Sequence, residues 1–354
     1  MGELLLMKGN EAIGEAAIRA GCQAYFAYPI TPQNELGEYL ARRMPEESRV
    51  FLQAESEVAA INMVYGAAGA GARAMTSSSS PGISLKQEGI SYIAAAELPC
   101  VIVNMVRGGP GLGSIQPAQS DYFQATKGGG HGDYRLIVFG PSTIQELVDL
   151  TGLAFELADK YRNPVMILGD GALGQMMEPV EFPAMDEVTL PLKPWATTGM
   201  KGRPQNVINS LHLDPEDLDR HNAHLQEKYR AIARQEVRYE LENQDADYFL
   251  VAYGTTARVA RNAMHKAQGE GHRVGLIRPV TLWPFPDAAF AKVLDRARAF
   301  LTVEMSAGQM VEDVRLAVNG RAPVHFYGRT GGVIPSQQEI YEALIKIIQG
   351  GEKA

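Results

Sequence analysis

Short apolar runs alternate with longer amphipathic stretches along the first half of the chain. The apolar runs predict strands, and the amphipathic stretches between them predict helices. Strands are predicted at 24–28, 50–53, 72–76, 100–106, 136–139 and 165–168, with helices at 11–20, 57–70 and 143–160. Strands that alternate with helices in this way favour a parallel sheet covered on both faces.

Prolines and polar residues interrupt this pattern in the middle of the chain. Pro191, Pro194 and Pro204 predict an irregular connection. The polar stretch 221–242, with apolar residues such as Tyr239 along one side, predicts a helix that lies across a surface or a partner.

The alternation resumes towards the end of the chain. Strands are predicted at 248–252, 273–277 and 300–304, with helices at 257–270, 286–297 and 336–348. We therefore predict a first α/β domain over 1–185, an irregular and helical connecting segment over 186–246, and a second, smaller α/β domain over 247–354.

Composition and charge exclude several classes of protein. The chain has 354 residues, and its 41 acidic and 33 basic residues leave a net charge of −8, so we expect no nucleic-acid partner. No apolar run approaches the ~20 residues of a membrane span, and the start of the chain lacks the pattern of a signal peptide. We expect a cytoplasmic protein that makes no membrane contact.

Cysteine usage limits the redox chemistry of this chain. Cys22 and Cys100 are its two cysteines, and their apolar surroundings predict buried, reduced thiols. With no CxxC motif and two cysteines, this chain alone cannot hold an iron–sulfur cluster ligated by cysteines or a four-cysteine zinc site.

Loops rich in glycine, proline, serine or charge follow four successive predicted strands. They are YPITP (28–32), ESE (55–57), TSSSSPG (76–82) and RGGPGLG (107–113). Because open α/β sheets bind ligands at the carboxyl ends of their strands, we expect these loops to share one cleft.

The first two loops have both a structural and a functional interpretation. Pro29 and Pro32 predict a rigid extended turn, which either contacts a ligand or simply precedes the next helix. Glu55 and Glu57 lie at a helix start, where the helix dipole alone favours carboxylates. A carboxylate held against the small, apolar helix that follows could instead move a proton.

The other two loops also leave alternatives open. The hydroxyls and free N–H groups of 76–82 predict either an anion site or a flexible turn. Arg107, beside glycines, suits capture of a carboxylate or phosphate, and the alternative is a mobile loop with a solvated arginine. The loop fits neither GxGxxG nor Walker A.

Two further features are weaker candidates. His131, in a glycine-rich loop, is a possible catalytic residue. The GDG at 169–171 resembles the metal–diphosphate motif of thiamine enzymes, but the matching stretch 195–201 contains no asparagine. We interpret this GDG as a loop and expect no metal site in this chain.

The four loops together resemble the alpha subunit of the 2-oxoacid:ferredoxin oxidoreductases. The resemblance extends over nearly all of the chain and is carried by QAESEVAAINMVYGAAGAGARAMTSSSSPGISL, CVIVNMVRGGPGLGSIQPAQSDYFQATKGGGHGDY and GRTGGVIPS. The branched-chain (2-ketoisovalerate) type and the 2-oxoglutarate type are the most similar branches.

The resemblance implies a fold and a division of labour. It implies an α/β fold in which a thiamine-diphosphate-binding-type parallel sheet, the pyrimidine domain, precedes a smaller domain like the C-terminal domain of transketolase. A beta subunit would share the thiamine diphosphate and supply its diphosphate and Mg²⁺ ligands. A small ferredoxin-like gamma or delta subunit would carry the iron–sulfur clusters, with ferredoxin as acceptor and coenzyme A as co-substrate.

The resemblance also implies roles for individual residues. Glu57 matches the glutamate that hydrogen-bonds the pyrimidine ring and promotes deprotonation of the thiazolium carbon, with Glu55 as the alternative. Thr31 would hydrogen-bond the substrate near its reactive carbon, and Arg107 would orient the 2-oxoacid carboxylate. Further cofactor contacts are implied for Tyr28, Pro29, Ile30, Ser79 and Ser80.

The implied reaction is CoA-dependent oxidative decarboxylation of a 2-oxoacid to acyl-CoA and CO₂, with electrons passed to ferredoxin. A branched-chain acid such as 2-ketoisovalerate, with a broad range included, is the favoured substrate, and 2-oxoglutarate is the alternative. Pyruvate is less favoured because Val-Ala-Ala, not Ala-Gly-Ala, follows Glu57. A related arylpyruvate enzyme and a non-catalytic α/β scaffold are further alternatives. Since the cofactor lies at a subunit interface in this family, we expect the isolated chain to be inactive.

Overall fold

Three sheets organise residues 4–182 and 188–350, which the computed structural model describes. The strands are β1 (Leu4–Lys8), β2 (Ala24–Ala27), β3 (Val50–Gln53), β4 (Ala74–Ser78), β5 (Cys100–Val106), β6 (Ile137–Phe139), β7 (Pro164–Asp170), β8 (Met177–Glu181), β9 (Tyr239–Glu242), β10 (Tyr248–Val251), β11 (Val274–Pro279), β12 (Thr281–Trp283), β13 (Ala299–Glu304) and β14 (Val324–Gly328). The helices are α1 (Gly9–Arg19), α2 (Asn34–Glu46), α3 (Glu57–Gly69), α4 (Pro81–Ala95), α5 (Tyr122–Thr126), α6 (Ile144–Tyr161), α7 (Gly171–Gln175), α8 (Pro215–Gln235), α9 (Gly254–Gly269), α10 (Asp287–Ala291), α11 (Met310–Val318) and α12 (Gln337–Ile348).

The first sheet has seven strands in the order β12-β6-β7-β5-β4-β2-β3, and all of its pairs except β12–β6 are parallel. Strands β4, β5 and β7 are buried along their whole length, because helices cover both faces. The six strands predicted for the first domain are confirmed as β2 to β7. Because β2, β4 and β5 are neighbours, the loops after them leave the same edge of the sheet.

Helices α3 and α4 pack closely beside this edge. Ser56 caps α3, where its hydroxyl accepts a hydrogen bond from the N–H of Ala59 at 3.2 Å. A Cβ at Gly89 of α4 would lie 2.5 Å from Ile61 Cγ2, so only glycine permits this approach. The close packing brings the first turns of both helices to the same place.

The second sheet has the order β14-β13-β10-β11-β9, with β9 antiparallel to β11 and the other pairs parallel. The strands predicted at 248–252, 273–277 and 300–304 are confirmed as β10, β11 and β13. The helix predicted over 286–297 is wrong in extent, because α10 ends at Ala291. Beyond it the chain forms turns in which bonds three residues back, such as that from the N–H of Arg296 to the carbonyl of Val293, are mixed with bonds four residues back.

The polar helix predicted over 221–242 begins and ends earlier in the structure than the sequence predicts. α8 starts at Pro215, where the Asp214 carboxylate caps it, and residues 239–242 form β9 instead. The helical prediction for these last residues is wrong because the free edge of β11 offers them backbone partners. α8 does lie across the first domain, where Lys228 pairs with Glu97 at 3.1 Å.

Two contacts join the second unit, the part of the chain around the second sheet, to the first unit, the part around the first sheet. β12 leaves the second unit and adds an antiparallel edge strand to β6 of the first sheet. The buried side chain of Gln119 donates to the carbonyl of Tyr253 at 2.9 Å, and its oxygen accepts from the N–H of Met305 at 3.0 Å. The loops of the second unit therefore lie directly against those of the first.

The predicted boundary between 185 and 186 lies outside the described residues, and the division of the chain at 185 and 246 stays a prediction. β9, within the predicted connecting segment, joins the second sheet. Across the two described stretches, each helix is too short or too polar to cross a membrane.

Candidate functional site

The side chain of Arg107 brings two of the predicted loops together. One guanidinium N–H donates to the carbonyl of Thr31 and another to the carbonyl of Leu112, both at 3.0 Å. Its Nε is buried and has no hydrogen-bond partner within the described stretches. Backbone contacts therefore take two of the five guanidinium N–H donors, and the remaining donors, the Nε–H included, are left for a ligand.

Ser80 connects the serine-rich loop to the same arginine. Its hydroxyl accepts from the N–H of Arg107 at 3.1 Å and lies 3.2 Å from the carbonyl oxygen of the same residue. Ser80 has a φ of +23°, which side-chain-bearing residues rarely adopt. The Ser80 hydroxyl thus holds the backbone of Arg107 in place. The hydroxyl that was predicted to contact a cofactor is therefore already engaged.

Ser78 and Ser79 are the free hydroxyls of this loop. Both side chains are fully buried, and neither hydroxyl has a hydrogen-bond partner in the part of the chain that the structure describes. Since an unpaired buried hydroxyl costs stability, the two atoms are suited to a polar group supplied from outside the chain.

Glu57 and Glu55 occupy different environments. Glu57 is 7% exposed, its carboxylate accepts no hydrogen bond from the described residues, and Glu55 is exposed. A Cβ at Gly82 would overlap Ser78 Oγ and lie 2.7 Å from Glu57 Oε1. The Glu57 carboxylate is therefore enclosed between α3 and α4, beside the free hydroxyl of Ser78.

The remaining predicted residues line two separate cavities. Tyr28 and Pro29 line one of about 290 Å³ together with Phe51, and the neighbouring Ile30 is partly exposed. Ser80 and the glycine loop line another of about 800 Å³, which residues 305–309 of the second unit help to enclose. Among the described residues, Tyr28 and Ser80 thus line different cavities.

Lys86 lies beside the candidate site and was not predicted from the sequence. Its fully buried ammonium donates to Thr76 Oγ1 at 2.7 Å and to the carbonyl of Ser77 at 2.9 Å. Burial lowers the pKa of Lys86 to about 7, against an attraction to Glu57 that raises it. The available signal was a lysine four residues after Gly82 on a helix of small and apolar residues.

Asn104 was also missed, although a single polar residue in the apolar strand CVIVNMV was a signal. Its side-chain oxygen accepts from the N–H of Ser80 at 3.1 Å, and its amide donates to Asp121 at 2.9 Å. Burial raises the pKa of Asp121. Asn104 therefore fixes the start of α4, from which Ser80 and Gly82 contact the site.

The GDG sequence is not a loop, and that interpretation is wrong. Gly169 and Asp170 end β7, and Gly171 begins α7. The Asp170 carboxylate caps α7 by accepting the N–H groups of Ala172 at 3.0 Å and Leu173 at 3.1 Å, which is why a strand passes directly into a helix here. Within the described stretches, no three His, Cys, Asp or Glu side chains are grouped for a metal.

The other candidates lie outside the site. His131 lies 3.5 Å from the hydroxyl of Ser91, in an exposed loop. Cys22 and Cys100 are buried and free, as predicted. Burial raises the pKa of each thiol to about 12, so both are unreactive at neutral pH.

Two family models cover most of the chain. A pyruvate flavodoxin/ferredoxin oxidoreductase model for the thiamine diphosphate-binding domain matches residues 15–242, and a pyruvate:ferredoxin oxidoreductase core domain II model matches 246–340. The ketoisovalerate oxidoreductase subunit VorB of Methanothermobacter thermautotrophicus is 51% identical over 343 residues, which cover 97% of each chain. The chain belongs to the 2-oxoacid:ferredoxin oxidoreductase family.

Other relatives of this 2-oxoacid:ferredoxin oxidoreductase chain are more distant. The 2-oxoglutarate synthase subunit KorA of the same organism is 34% identical and covers 98% of this chain and 100% of its own. A solved 2-oxoglutarate:ferredoxin oxidoreductase from Magnetococcus marinus, with 2-oxoglutarate, coenzyme A and succinyl-CoA bound, has a TM-score of 0.88 at 27% identity. The match covers 98% of this chain and 66% of that longer one.

The fold class predicted for this 2-oxoacid:ferredoxin oxidoreductase subunit is confirmed. A split-gene transketolase, an inactive beta4 tetramer, matches 98% of the chain with a TM-score of 0.62 at 14% identity, which shows the fold alone. A thiamine-diphosphate-binding-type parallel sheet is thus followed by a smaller transketolase-like α/β domain. The roles of Glu57, Thr31 and Arg107 stay predictions.

Proposed function

We propose that this chain is the alpha subunit of an enzyme that oxidatively decarboxylates a branched-chain 2-oxoacid such as 2-ketoisovalerate. Coenzyme A takes the acyl group, CO₂ leaves, and ferredoxin receives the electrons. The observation that carries the substrate is the identity over the whole chain, 51% to a ketoisovalerate oxidoreductase subunit against 34% to a 2-oxoglutarate synthase subunit.

The charge of the site loops supports a monocarboxylate substrate. Arg107 is the one cation in loops 28–32, 55–57, 76–82 and 107–113, and one guanidinium binds one carboxylate. Lys86 is fully buried behind the loops, so it does not reach a substrate. 2-Oxoglutarate needs a second cation for its distal carboxylate, whereas a branched-chain acid needs only an apolar pocket.

The residues present fit the pyrimidine half of thiamine diphosphate. Within the described stretches, the Glu57 carboxylate accepts no hydrogen bond and the buried hydroxyls of Ser78 and Ser79 have no partner, while Gly82 leaves no Cβ in the way. These four residues would hold the ring. When bound, the cofactor supplies a nucleophilic carbon for the 2-oxo group and an acceptor for the electrons left after decarboxylation.

Three side chains of this chain would then act on the bound molecules. Glu57 exchanges a proton with the pyrimidine ring nitrogen. Arg107 binds the substrate carboxylate through N–H groups that its two backbone contacts leave free. The exposed Thr31 hydroxyl, at the end of the loop that Arg107 holds, hydrogen-bonds the substrate beside its reacting carbon.

Partner subunits complete the enzyme in this proposal. The relatives are named as subunits, the two cysteines are too few for a four-cysteine iron–sulfur cluster, and no three His, Cys, Asp or Glu side chains are grouped among the described residues. Electrons must therefore leave through another chain, for which we propose a ferredoxin-like gamma or delta subunit. A beta subunit would bind the diphosphate and Mg²⁺, since Asp170 is committed to capping α7.

The proposal is tested on the complex purified without oxygen. CoA-dependent reduction of a viologen dye is measured with 2-ketoisovalerate, 2-oxoglutarate and pyruvate, each with and without thiamine diphosphate. We expect thiamine-dependent reduction that is fastest with 2-ketoisovalerate. Faster reduction with 2-oxoglutarate would transfer the assignment to the alternative substrate. An intact, cluster-containing complex that reduces the dye with none of the acids would favour the scaffold alternative.

A further inference from the structure

Lys86 is a buried cation that the mechanism above leaves unused. Its side chain is fully enclosed, and its two hydrogen bonds go to uncharged oxygens of Thr76 and Ser77. Among the described residues, no carboxylate forms an ion pair with it. A buried ammonium without a paired anion is costly, so packing alone gives no reason for a charge at this position.

The helix geometry directs Lys86 towards Glu57. Gly82, Lys86 and Gly89 are four and three residues apart, which places them on one face of α4. Gly82 lies against the Glu57 carboxylate, and Gly89 lies against Ile61, one turn further along α3. Lys86 therefore lies between two contacts with α3 and faces its first turn.

The hydrogen bonds of Lys86 also reach the loop that carries Thr31. Thr76 Oγ1, which accepts from Lys86, donates to the carbonyl of Phe26 at 2.6 Å. Ser77, whose carbonyl accepts from Lys86, donates its hydroxyl to Gln33 Oε1 at 2.6 Å, and Gln33 directly follows YPITP. The Lys86 ammonium thus contacts the end of β4 and lies on the α3 side of it, towards Glu57.

We propose that Lys86 is a positioning residue whose charge, fixed behind the Glu57 carboxylate, controls the proton that Glu57 exchanges with the pyrimidine ring. The inference rests on the proposed function of Glu57. The titratable groups that face Lys86 are Glu57 from α3 and, through Ser77, the neutral phenol of Tyr25 from β2. Because burial lowers the pKa of Lys86 to about 7, its charge is present below neutral pH and is lost above it.

The test follows the bound cofactor directly. Circular dichroism distinguishes the amino and imino tautomers of bound thiamine diphosphate, measured as the difference between the loaded and cofactor-free complex from pH 6 to pH 9. We expect the tautomer balance of the wild-type complex to change with a midpoint near neutral pH. Lys86→Met should flatten this change or displace its midpoint by about one pH unit.

Two variants serve as controls. Lys228→Met removes a partly buried lysine that pairs with Glu97, just beyond the C-terminal end of α4, and should leave the titration unchanged. Glu57→Gln should abolish the tautomer change. If Glu57→Gln behaves as wild type, the proposed role of Glu57 fails and not merely the inference about Lys86.

The inference is overturned if Lys86→Met titrates as wild type while Glu57→Gln abolishes the change. Should Lys86→Met fail to assemble, Thr76→Val removes one of the two acceptors and keeps the lysine. Because Thr76 Oγ1 accepts a hydrogen bond from the charged lysine, its loss should move the midpoint to lower pH. An undisplaced midpoint in an assembled Thr76→Val complex would overturn the inference as well.

Discussion

Arg107 donates a guanidinium N–H to the backbone carbonyl of Thr31 at 3.0 Å. The bond joins the loop after β5 to the loop after β2, although β4 lies between these strands. A second N–H, bound to the carbonyl of Leu112, fixes the guanidinium from the other side. The donor left on Nε is thus preorganised before a substrate arrives.

Arg107→Lys should weaken use of the 2-oxoacid. A lysine cannot hold both carbonyls and still present a planar donor to the carboxylate. Loss of one charge-assisted hydrogen bond predicts a fall in kcat/KM of roughly 10- to 100-fold, mostly through KM. Steady-state viologen reduction measures it. Arg321→Lys, at an exposed arginine paired with Asp295, should match wild type, and an unaffected Arg107→Lys enzyme would contradict the role.

Glu57→Gln should remove proton exchange with the cofactor, while Glu55→Gln should not. Glu57 is enclosed beside Gly82 and Glu55 is exposed. We expect Glu57→Gln to lower turnover by roughly 10²- to 10⁴-fold with the complex intact by size-exclusion chromatography. Hydrogen–deuterium exchange at the thiazolium carbon gives a direct measurement. A larger loss in Glu55→Gln would reassign the role to that residue.

Gly82→Ala should disturb the Glu57 carboxylate without unfolding the protein. The new Cβ would overlap Ser78 Oγ and lie 2.7 Å from Glu57 Oε1, so both groups must move. We expect cofactor affinity to fall at least about 10-fold, as measured by calorimetry on the complex. Gly152→Ala, in α6 where a Cβ has nothing within 4 Å, should instead stabilise by roughly 0.5–1 kcal/mol. Equal affinities of the two variants would argue against a ring site at Gly82.

Gly332→Ala should alter the site from the second unit. Gly332 has a φ of +99° and its Cβ would overlap Gln116, whose carbonyl accepts the N–H of Gly108. We therefore expect displacement of the glycine loop beside Arg107 and a higher KM for the 2-oxoacid. Gly331→Ala carries a similar backbone penalty, at a φ of +68°, with nothing within 4 Å of its Cβ. If KM rises equally in both variants, backbone strain and not the collision with Gln116 is its cause.

The stability of the complex should rise with pH above neutrality because of Lys86. Its pKa is lowered by burial to about 7 in the folded chain, against about 10.4 for an unperturbed lysine. Between these values the unfolded chain binds the proton and the folded chain does not, so unfolding becomes less favourable as pH increases. Lys86→Met should raise Tm near pH 7 and flatten its increase up to pH 9. The exposed Lys346→Met variant should follow wild type, and a Lys86→Met curve parallel to wild type would contradict the linkage.

Local sequence patterns were sufficient to predict the central strands of both sheets. β4, β5 and β7 are buried on both faces, so their apolar runs stand out from the amphipathic helices between them. β9 and β12 carry no comparable signal. Each is an edge strand that exists because the free edge of β11 or β6 accepts its backbone, and that edge is supplied by residues distant in the sequence.

The same division applies to the candidate site. The amino-acid sequence by itself determined the family, the α/β class and the four loops, because strand periodicity, glycine and proline placement and motif spacing are local properties. The tertiary structure alone decided that Arg107 contacts Thr31, that Glu57 rather than Glu55 is enclosed, and that Lys86 lies buried behind it. Those relationships depend on the order of strands in the sheet and on how closely α3 approaches α4, which no single stretch of sequence encodes.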